Sequence, residues 1–465
     1  MVLAFRRSQL QDGAGHDDAN SSEKPVWREA STPAAASRHG DHVASPEMRL
    51  LLLCSRSVLP EAGGESLRGL LEAEIDWDFV WEAGHWHGVL PLLSHNLHAV
   101  ASGLVPEGLV PEEMLDRLRG RHQATAYRNL YMTAELLQLI GAFEEAGVAS
   151  IPLKGAVLAH TLYPNSALRE FSDLDILVRK EGLSRAKQVL STLGFLLTRA
   201  DPAGGQETAF RWRLYAYFFR RPTDGLVVDL HWKLAPTYML TAIPVEKLWN
   251  QTRSCRIGGM EVRSFSPEVT LLLLCFHGAK HGPVPWPRLK WLCDLSELLR
   301  THPDLDWQEL FVSADACGSG RIVDLGLRLA CDLLEAPLPE AVERRVRSDA
   351  AVASIATQVG ERLLQDRREP MQRLERLRQQ LSLRERRRDK LLILISHGFV
   401  PQDSDWELVR LPRALAFLYF PLRLLRLAFK FGLARPLRWL GEKLRKRDPP
   451  AEMTEAAVTR DAGST

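Results

Sequence analysis

The chain has 465 residues, a quarter of them charged, and is long enough for two or three domains with substantial cores. Its 60 Lys and Arg nearly cancel 58 Asp and Glu, so a net charge of +2 excludes a global attraction for nucleic acid and leaves any charge signal to local clusters. The six cysteines are scattered without a C-x-x-C, which fits reduced, buried thiols of a cytosolic protein better than disulfides or zinc.

Residues 1–45 are rich in Ser, Ala, Gly, Asp and His, show no periodicity and read as a disordered tail. They contain no apolar run of the kind a secretory signal carries. The text from 46 to 146 is helical: Met48 to Leu53, Trp77 to Leu93, then one or two helices over Pro111 to Glu145. In the last of these, Leu130, Thr133, Leu136, Leu137 and Ile140 mark the expected buried stripe.

Between 147 and 235 the pattern changes to a mixed block. A short apolar strand, Ala149 to Leu153, runs into Lys154-Gly155 and a helix over 156–163. A second strand follows at 172–178, then a helix from Leu183 to Leu193 closed by Gly194. Two further strands, Phe210 to Arg220 and Leu226 to Trp232, flank the turn Pro222-Thr223-Asp224-Gly225. A helical region is expected over 236–365, a basic amphipathic helical segment over 366–447, and a disordered tail over 448–465. The fold class is α+β: a small mixed sheet flanked by N- and C-terminal helical regions.

The chemistry concentrates in Ser172-Asp173-Leu174-Asp175-Ile176-Leu177-Val178. Side chains alternate across a strand, so Asp173 and Asp175 share one face while Leu174, Ile176 and Val178 share the other. The same parity in Val227-Val228-Asp229-Leu230-His231 puts Asp229 and His231 together. If the two strands are neighbours, three carboxylates converge, and like charges so close call for a cation. Mg2+ or Mn2+ is expected, taking carboxylates together with the phosphates of an NTP substrate; two such ions would polarise the α-phosphate and steady the pyrophosphate leaving group. An Asp-x-Asp on an exposed strand end can also be merely solvated. Lys154 can serve the phosphates or be a solvated strand-end charge, and Arg169 can clamp a triphosphate or pair with Glu170.

His277, Lys280 and His281 fall on one helix face, which could turn towards the phosphates, bind zinc or pack in the core. His85-Trp86-His87 reads as packing at a helix terminus. Arg413 to Arg447 mixes Leu, Phe and Trp with ten Lys or Arg and one Glu, and its uncharged runs are too short to span a membrane. Leu422, Leu425, Phe429 and Leu433 form an apolar stripe, with Arg423, Arg426, Lys430, Arg435 and Arg438 as cationic heads. Residues 411–447 can therefore lie in an anionic membrane interface, or pack on the protein or a partner. No recognised nucleic-acid motif accompanies them.

Taken in order, Leu153-Lys154-Gly155, Tyr163-Pro164, Arg169, Ser172 to Val178 and Val228-Asp229-Leu230-His231-Trp232 resemble the uncharacterised nucleotidyltransferase family of the polymerase-β superfamily. The resemblance extends to Leu274 to His281, Arg288 to Asp294 and the upstream Asp76-Trp77 and His87 to Leu93, covering about residues 50–300. It implies a polymerase-β-like core and a metal-dependent transfer of NMP to an unidentified acceptor, in a bacterial setting often linked to polysaccharide biosynthesis. It implies metal and catalytic roles for Asp173, Asp175 and Asp229. Lys154, Gly155, Arg169, Ser172, His277, Lys280 and His281 would then serve the nucleotide. A toxin-like transferase acting on RNA or protein, and a non-catalytic membrane scaffold, are the alternatives. A cytoplasmic enzyme is expected, either free or peripheral at the inner face of the membrane. The chain departs from the superfamily in having Ala156 where Ser or Gly usually follows the glycine, and in placing Asp173 eighteen positions after Gly155.

Overall fold

The strands that carry the acids lie side by side in a five-stranded mixed sheet. A computed structural model describes residues 44–60, 62–101, 108–198, 215–234, 245–280, 285–369, 371–399, 405, 408–409 and 411–429. The sheet contains β1 (Ser150–Pro152), β2 (Asp173–Val178), β3 (Leu196–Leu197), β4 (Ala216–Arg220) and β5 (Val227–His231), in the order β1-β2-β5-β4-β3. The β2–β5 pair is parallel and the other three pairs are antiparallel. The β4–β5 hairpin closes where expected, with Gly225 at φ 74°. A Cβ there would be strained in the left-handed region.

Five helices precede the sheet: α1 (Pro46–Leu53), α2 (Gly63–Leu71), α3 (Trp77–His87), α4 (Leu90–Ala101) and α5 (Glu112–Glu145). The Asp76 carboxylate accepts the Phe79 N–H at 3.0 Å and so starts α3, which Gly88 ends in the left-handed conformation. The expected one or two helices after Pro111 are a single helix of 34 residues. Its buried side is Met132, Thr133, Leu136, Leu139, Ile140 and Phe143, whereas Leu130 points to solvent. The neighbouring Asn129 takes the inward place instead, its amide donating to the carbonyls of Ser166 and Arg169 at 2.7 and 2.8 Å. Two otherwise orphaned backbone acceptors outrank one leucine there.

Within the sheet block, α6 (Ala156–Thr161) links β1 to β2, and α7 (Leu183–Thr192) links β2 to β3. After the block come α8 (Val245–Leu248) and a second, two-stranded sheet of β6 (Thr252–Ile257) and β7 (Met260–Phe265). This hairpin corrects the all-helical expectation for the region. Gly258-Gly259, at φ 56° and 86°, makes the turn, and Ile257, Val262 and Phe265 are buried beneath strands whose Arg253, Arg256, Glu261 and Arg263 face solvent.

The remaining helices are α9 (Pro267–Lys280), α10 (Leu289–Thr301), α11 (Trp307–Ala316), α12 (Gly320–Leu334), α13 (Glu340–Ser348), α14 (Ala350–Leu364), α15 (Arg373–Ser382), α16 (Arg387–Phe399) and α17 (Tyr419–Ala428). One apolar core joins the helices before the sheet to those after it, with Leu50, Leu93, Leu271, Leu295 and Leu325 in a single cluster. A second core lies under one sheet face and contains Leu174, Ile176, Val178, Val228 and Leu230. A third, with Ile151, Leu177, Leu248 and Phe265, covers part of the other face. Asp173, Asp175 and Asp229 lie on this other face, opposite Leu174, Ile176, Val228 and Leu230.

The C-terminal helices depart from the expected stripe. Of that stripe Leu425 and Phe429 are exposed and Leu422 is half-buried, while Arg423 and Arg426 turn inward onto Asp405, at 3.0 and 2.6 Å, instead of serving as cationic heads. A buried carboxylate requires a charged partner, and these two arginines meet that need. Leu433, Lys430, Arg435 and Arg438 lie outside the described residues. No helix among the described residues is long and apolar enough to cross a membrane.

Candidate active site on strands β2 and β5

The parallel register pairs Asp175 with Asp229 and Asp173 with Val227, so the three carboxylates meet on one face. The inward parity also holds, because Leu174, Ile176 and Val178 all enter the core beneath the sheet. Asp175 is buried and both its oxygens are engaged. Lys154 Nζ is 3.0 Å from Oδ2, and His231 Nε2 is 2.9 Å from Oδ1.

Burial alone would raise the Asp175 pKa, but Lys154 and His231 overcome it and hold this carboxyl well below the usual range. Its neighbours go the other way. Burial and then the Asp175 charge raise Asp173, while burial, Asp175 and Asp173 push Asp229 up to about 8 despite Lys154 and Lys280. Burial lowers the His231 pKa against the pull of Asp175. A neutral imidazole beside an ionised carboxylate donates from Nε2, which leaves Nδ1 as an acceptor, buried without a hydrogen-bond partner among the described residues.

Burial and mutual repulsion thus disfavour ionising all three carboxylates together, a cost that a bound cation would offset. Asp175, Asp229 and His231 each offer a ligand atom, and these atoms lie within 4.8 Å of one another. The two carboxylates suit Mg2+ or Mn2+, while an imidazole is a ligand that Mg2+ does not favour, so His231 fits better as the outer partner of Asp175. The donor set therefore fits the divalent cation that the sequence implied.

Gly155 precedes α6 at φ 59° and ψ −117°, and a Cβ there would stand 3.3 Å from the Phe171 ring and 3.4 Å from the Asp173 carbonyl. Only glycine makes this turn without strain. Ala156 is fully buried in the core under the sheet. The side chain after the glycine therefore packs, which explains an apolar residue at that position.

Arg169 does not point at the carboxylate cluster. It grips Asp294 of α10 with two 2.7 Å hydrogen bonds and donates a third, at 3.2 Å, to the Gly155 carbonyl. Tyr163 adds its hydroxyl to Asp294 at 2.9 Å. Burial opposes the Arg169 charge, yet Asp294 raises its pKa further. This is a buried fork that fixes the glycine turn against α10. Glu170 pairs with Arg121, at 3.0 Å, rather than with Arg169.

The α9 face turns towards the acids. His277 Nδ1 lies 3.3 Å from Lys154 Nζ, and the imidazole meets Trp291 edge-on at 5.1 Å. Lys280 stands 4.5 Å over the Tyr215 ring. Burial and then Lys154 lower its pKa to about 8, although the three acids pull it up. Lys154, His231, His277 and Lys280 line one cleft with Leu153 and Leu234. Ser172 is exposed just before β2, and His281 lies outside the described residues.

Three contributors had no role assigned from sequence. His231 was placed beside Asp229 by parity, and that parity was the signal for it. Lys290 acts on Asp173 electrostatically; burial and the nearby Arg169 and Arg288 lower its own pKa to about 8. Its chain passes over Gly88, where a Cβ would come within 2.7 Å of Lys290 Cδ. Asp294 is the third. His85-Trp86-His87 packs as expected: Arg288 covers Trp86 at 4.6 Å, and His87 Nδ1 accepts the Leu289 N–H at 3.3 Å.

A family model described as an uncharacterised nucleotidyltransferase matches residues 73–335, which include all of these residues. The crystal structure of an antigenic nucleotidyltransferase-like protein from Paracoccidioides brasiliensis is 17% identical, covering 48% of this chain and 96% of that one at a TM-score of 0.27. That similarity is too low to define the fold. No curated protein matches the chain.

Proposed function

Because the chain belongs to the uncharacterised nucleotidyltransferase family, we propose that it transfers a nucleoside monophosphate from an NTP to an acceptor nucleophile at the acids of β2 and β5. The acceptor forms the new bond to the α-phosphorus, the bond to the bridging oxygen breaks, and pyrophosphate leaves with its electron pair. One observation carries this reading: Asp173, Asp175 and Asp229 converge on one face of the sheet, where burial and then their mutual repulsion make it costly for all three to be ionised without a cation. A divalent cation, Mg2+ or Mn2+, held by Asp175 and Asp229 with Asp173 and His231 beside them, would polarise the α-phosphate and neutralise the triphosphate.

The chain's own residues divide the remaining work. Lys154 holds the Asp175 oxygen that a cation needs, so it is the group that gives way and turns to the phosphates. Lys280 supplies a second positive charge across the cleft. Gly155 lets the backbone come close, and Arg169 is a positioning residue that braces this glycine instead of clamping the triphosphate. Asp229, on the same face as the other two acids, is the carboxylate placed to take the nucleophile's proton. A non-catalytic scaffold has no use for three carboxylates crowded on one sheet face, which supports an enzyme.

Replacing Lys154 with Met tests the exchange. Mn2+ binding followed by electron paramagnetic resonance, without nucleotide, is expected to tighten about tenfold, equivalent to ~1.4 kcal/mol. Unchanged or weaker Mn2+ binding would show that Lys154 does not compete for the Asp175 oxygen.

A further inference from the structure

The C-terminal hairpin of α16 and α17 is built inside out. Its charge is inside: Arg423 is 0% exposed, bonded to Asp405 at 3.0 Å and donating to the His397 carbonyl at 2.6 Å. Arg426 closes on the same carboxylate. The Tyr419 hydroxyl, also buried, bridges the Val409 carbonyl and the Leu411 N–H at 2.9 and 2.8 Å. Its apolar side is outside: Leu425 is 68% and Phe429 62% exposed, with Phe417 and Phe420 before them and Leu391 and Leu394 on α16. Of 22 large hydrophobic residues exposed among the described residues, 13 fall between Leu391 and Phe429. Such a concentration is far beyond the scatter of single apolar residues found on an ordinary surface and marks a face that something covers.

Charge identifies the cover. Directly after this face the sequence carries Lys430, Arg435, Arg438, Lys443 and Arg445-Lys446-Arg447 against a single acid, Glu442. A symmetric dimer through the face would bring two such basic runs together, because a two-fold interface joins like to like. An anionic lipid surface takes both signals at once, apolar side chains into the acyl boundary and basic ones among the headgroups. No helix among the described residues can span a bilayer, so the contact is lateral. We propose that the exposed apolar face of α16 and α17, with the basic run that follows it, docks the protein flat on an anionic bilayer. Arg423 and Arg426 are not its lipid contacts; they hold the hairpin in shape. The inference is independent of the chemistry at β2 and β5.

Sedimentation of the full-length chain with phosphatidylcholine vesicles, with and without phosphatidylserine, tests it. Binding to the anionic vesicles is expected, weakening with salt, and at least tenfold less to the neutral ones. The pair Leu425→Asp and Phe429→Asp changes two exposed positions and is expected to lose at least tenfold in vesicle binding with an unchanged circular dichroism spectrum. Replacing Lys443, Arg445, Lys446 and Arg447 with Gln is expected to lose a similar factor. Anionic vesicles that leave the wild type in solution, with sedimentation velocity showing a dimer, would overturn the proposal in favour of a second copy. Vesicle binding that survives the Asp pair would overturn it as well.

Discussion

Asp175 on β2 and Asp294 on α10 are both buried acids with both oxygens engaged by basic groups or hydroxyls, yet they do different things. Asp294 is balanced: one carboxylate, the fork of Arg169 and the Tyr163 hydroxyl account for its bonding. Asp175 is equally well bonded through Lys154 and His231, but two more carboxylates lie beside it, and their pKa values rise through burial and then through repulsion by their neighbours. Pairing by itself marks architecture. Like charges crowded together and held in place by the fold mark a place where a ligand can supply opposite charge.

The largest expected effect tests the balanced side. Arg169→Met leaves Asp294 buried without its guanidinium and should cost about 3–5 kcal/mol in urea unfolding, while Arg169→Met with Asp294→Leu should recover most of that loss. If the single variant is as stable as the wild type, Asp294 is not dependent on its partner and the contrast collapses. On the crowded side, His231→Ala removes the donor that orients Asp175. Calorimetric titration with Mn2+ should then show affinity falling by about 10–100-fold, the usual consequence of losing an outer partner. An unaffected Mn2+ affinity would separate His231 from the site.

The third test reads a slope. Asp229, raised to about 8 from an unfolded value of about 3.9, binds its proton more tightly when folded. Its contribution to stability is therefore complete below about pH 4 and is lost as pH rises towards 8 in metal-free buffer. Asp229→Asn should flatten that decline, and Mg2+ should flatten it in the wild type. An identical pH slope in the variant would mean that neither burial nor the neighbouring acids raise Asp229.

How far the sequence reached follows from the range of each contact. Period-two alternation placed Asp173, Asp175, Asp229 and His231 correctly, since strand parity is a local property. It could not reveal that Arg169 faces Asp294, because 125 residues separate the two and nothing near either one specifies the other. Lys290 escaped notice for the same reason. Arg423 was read as a surface cation from helical spacing, and the carboxylate that turns it inward, Asp405, lies 18 residues upstream in a different segment. The β6–β7 hairpin was legible and overlooked: Gly258-Gly259 is a strong turn signal, masked by strands whose exposed positions are charged. Leu130 fell outside its stripe because Asn129 had backbone carbonyls to satisfy.

The central claim is that the crowded acids of β2 and β5 bind nucleotide through a divalent cation. Equilibrium binding of labelled NTP, with and without Mg2+, in the wild type and in the double variant Asp173→Asn with Asp175→Asn, tests it most directly. Binding that requires Mg2+ and drops by at least tenfold in the double variant is the expected result; equal binding in the two proteins would contradict the assignment.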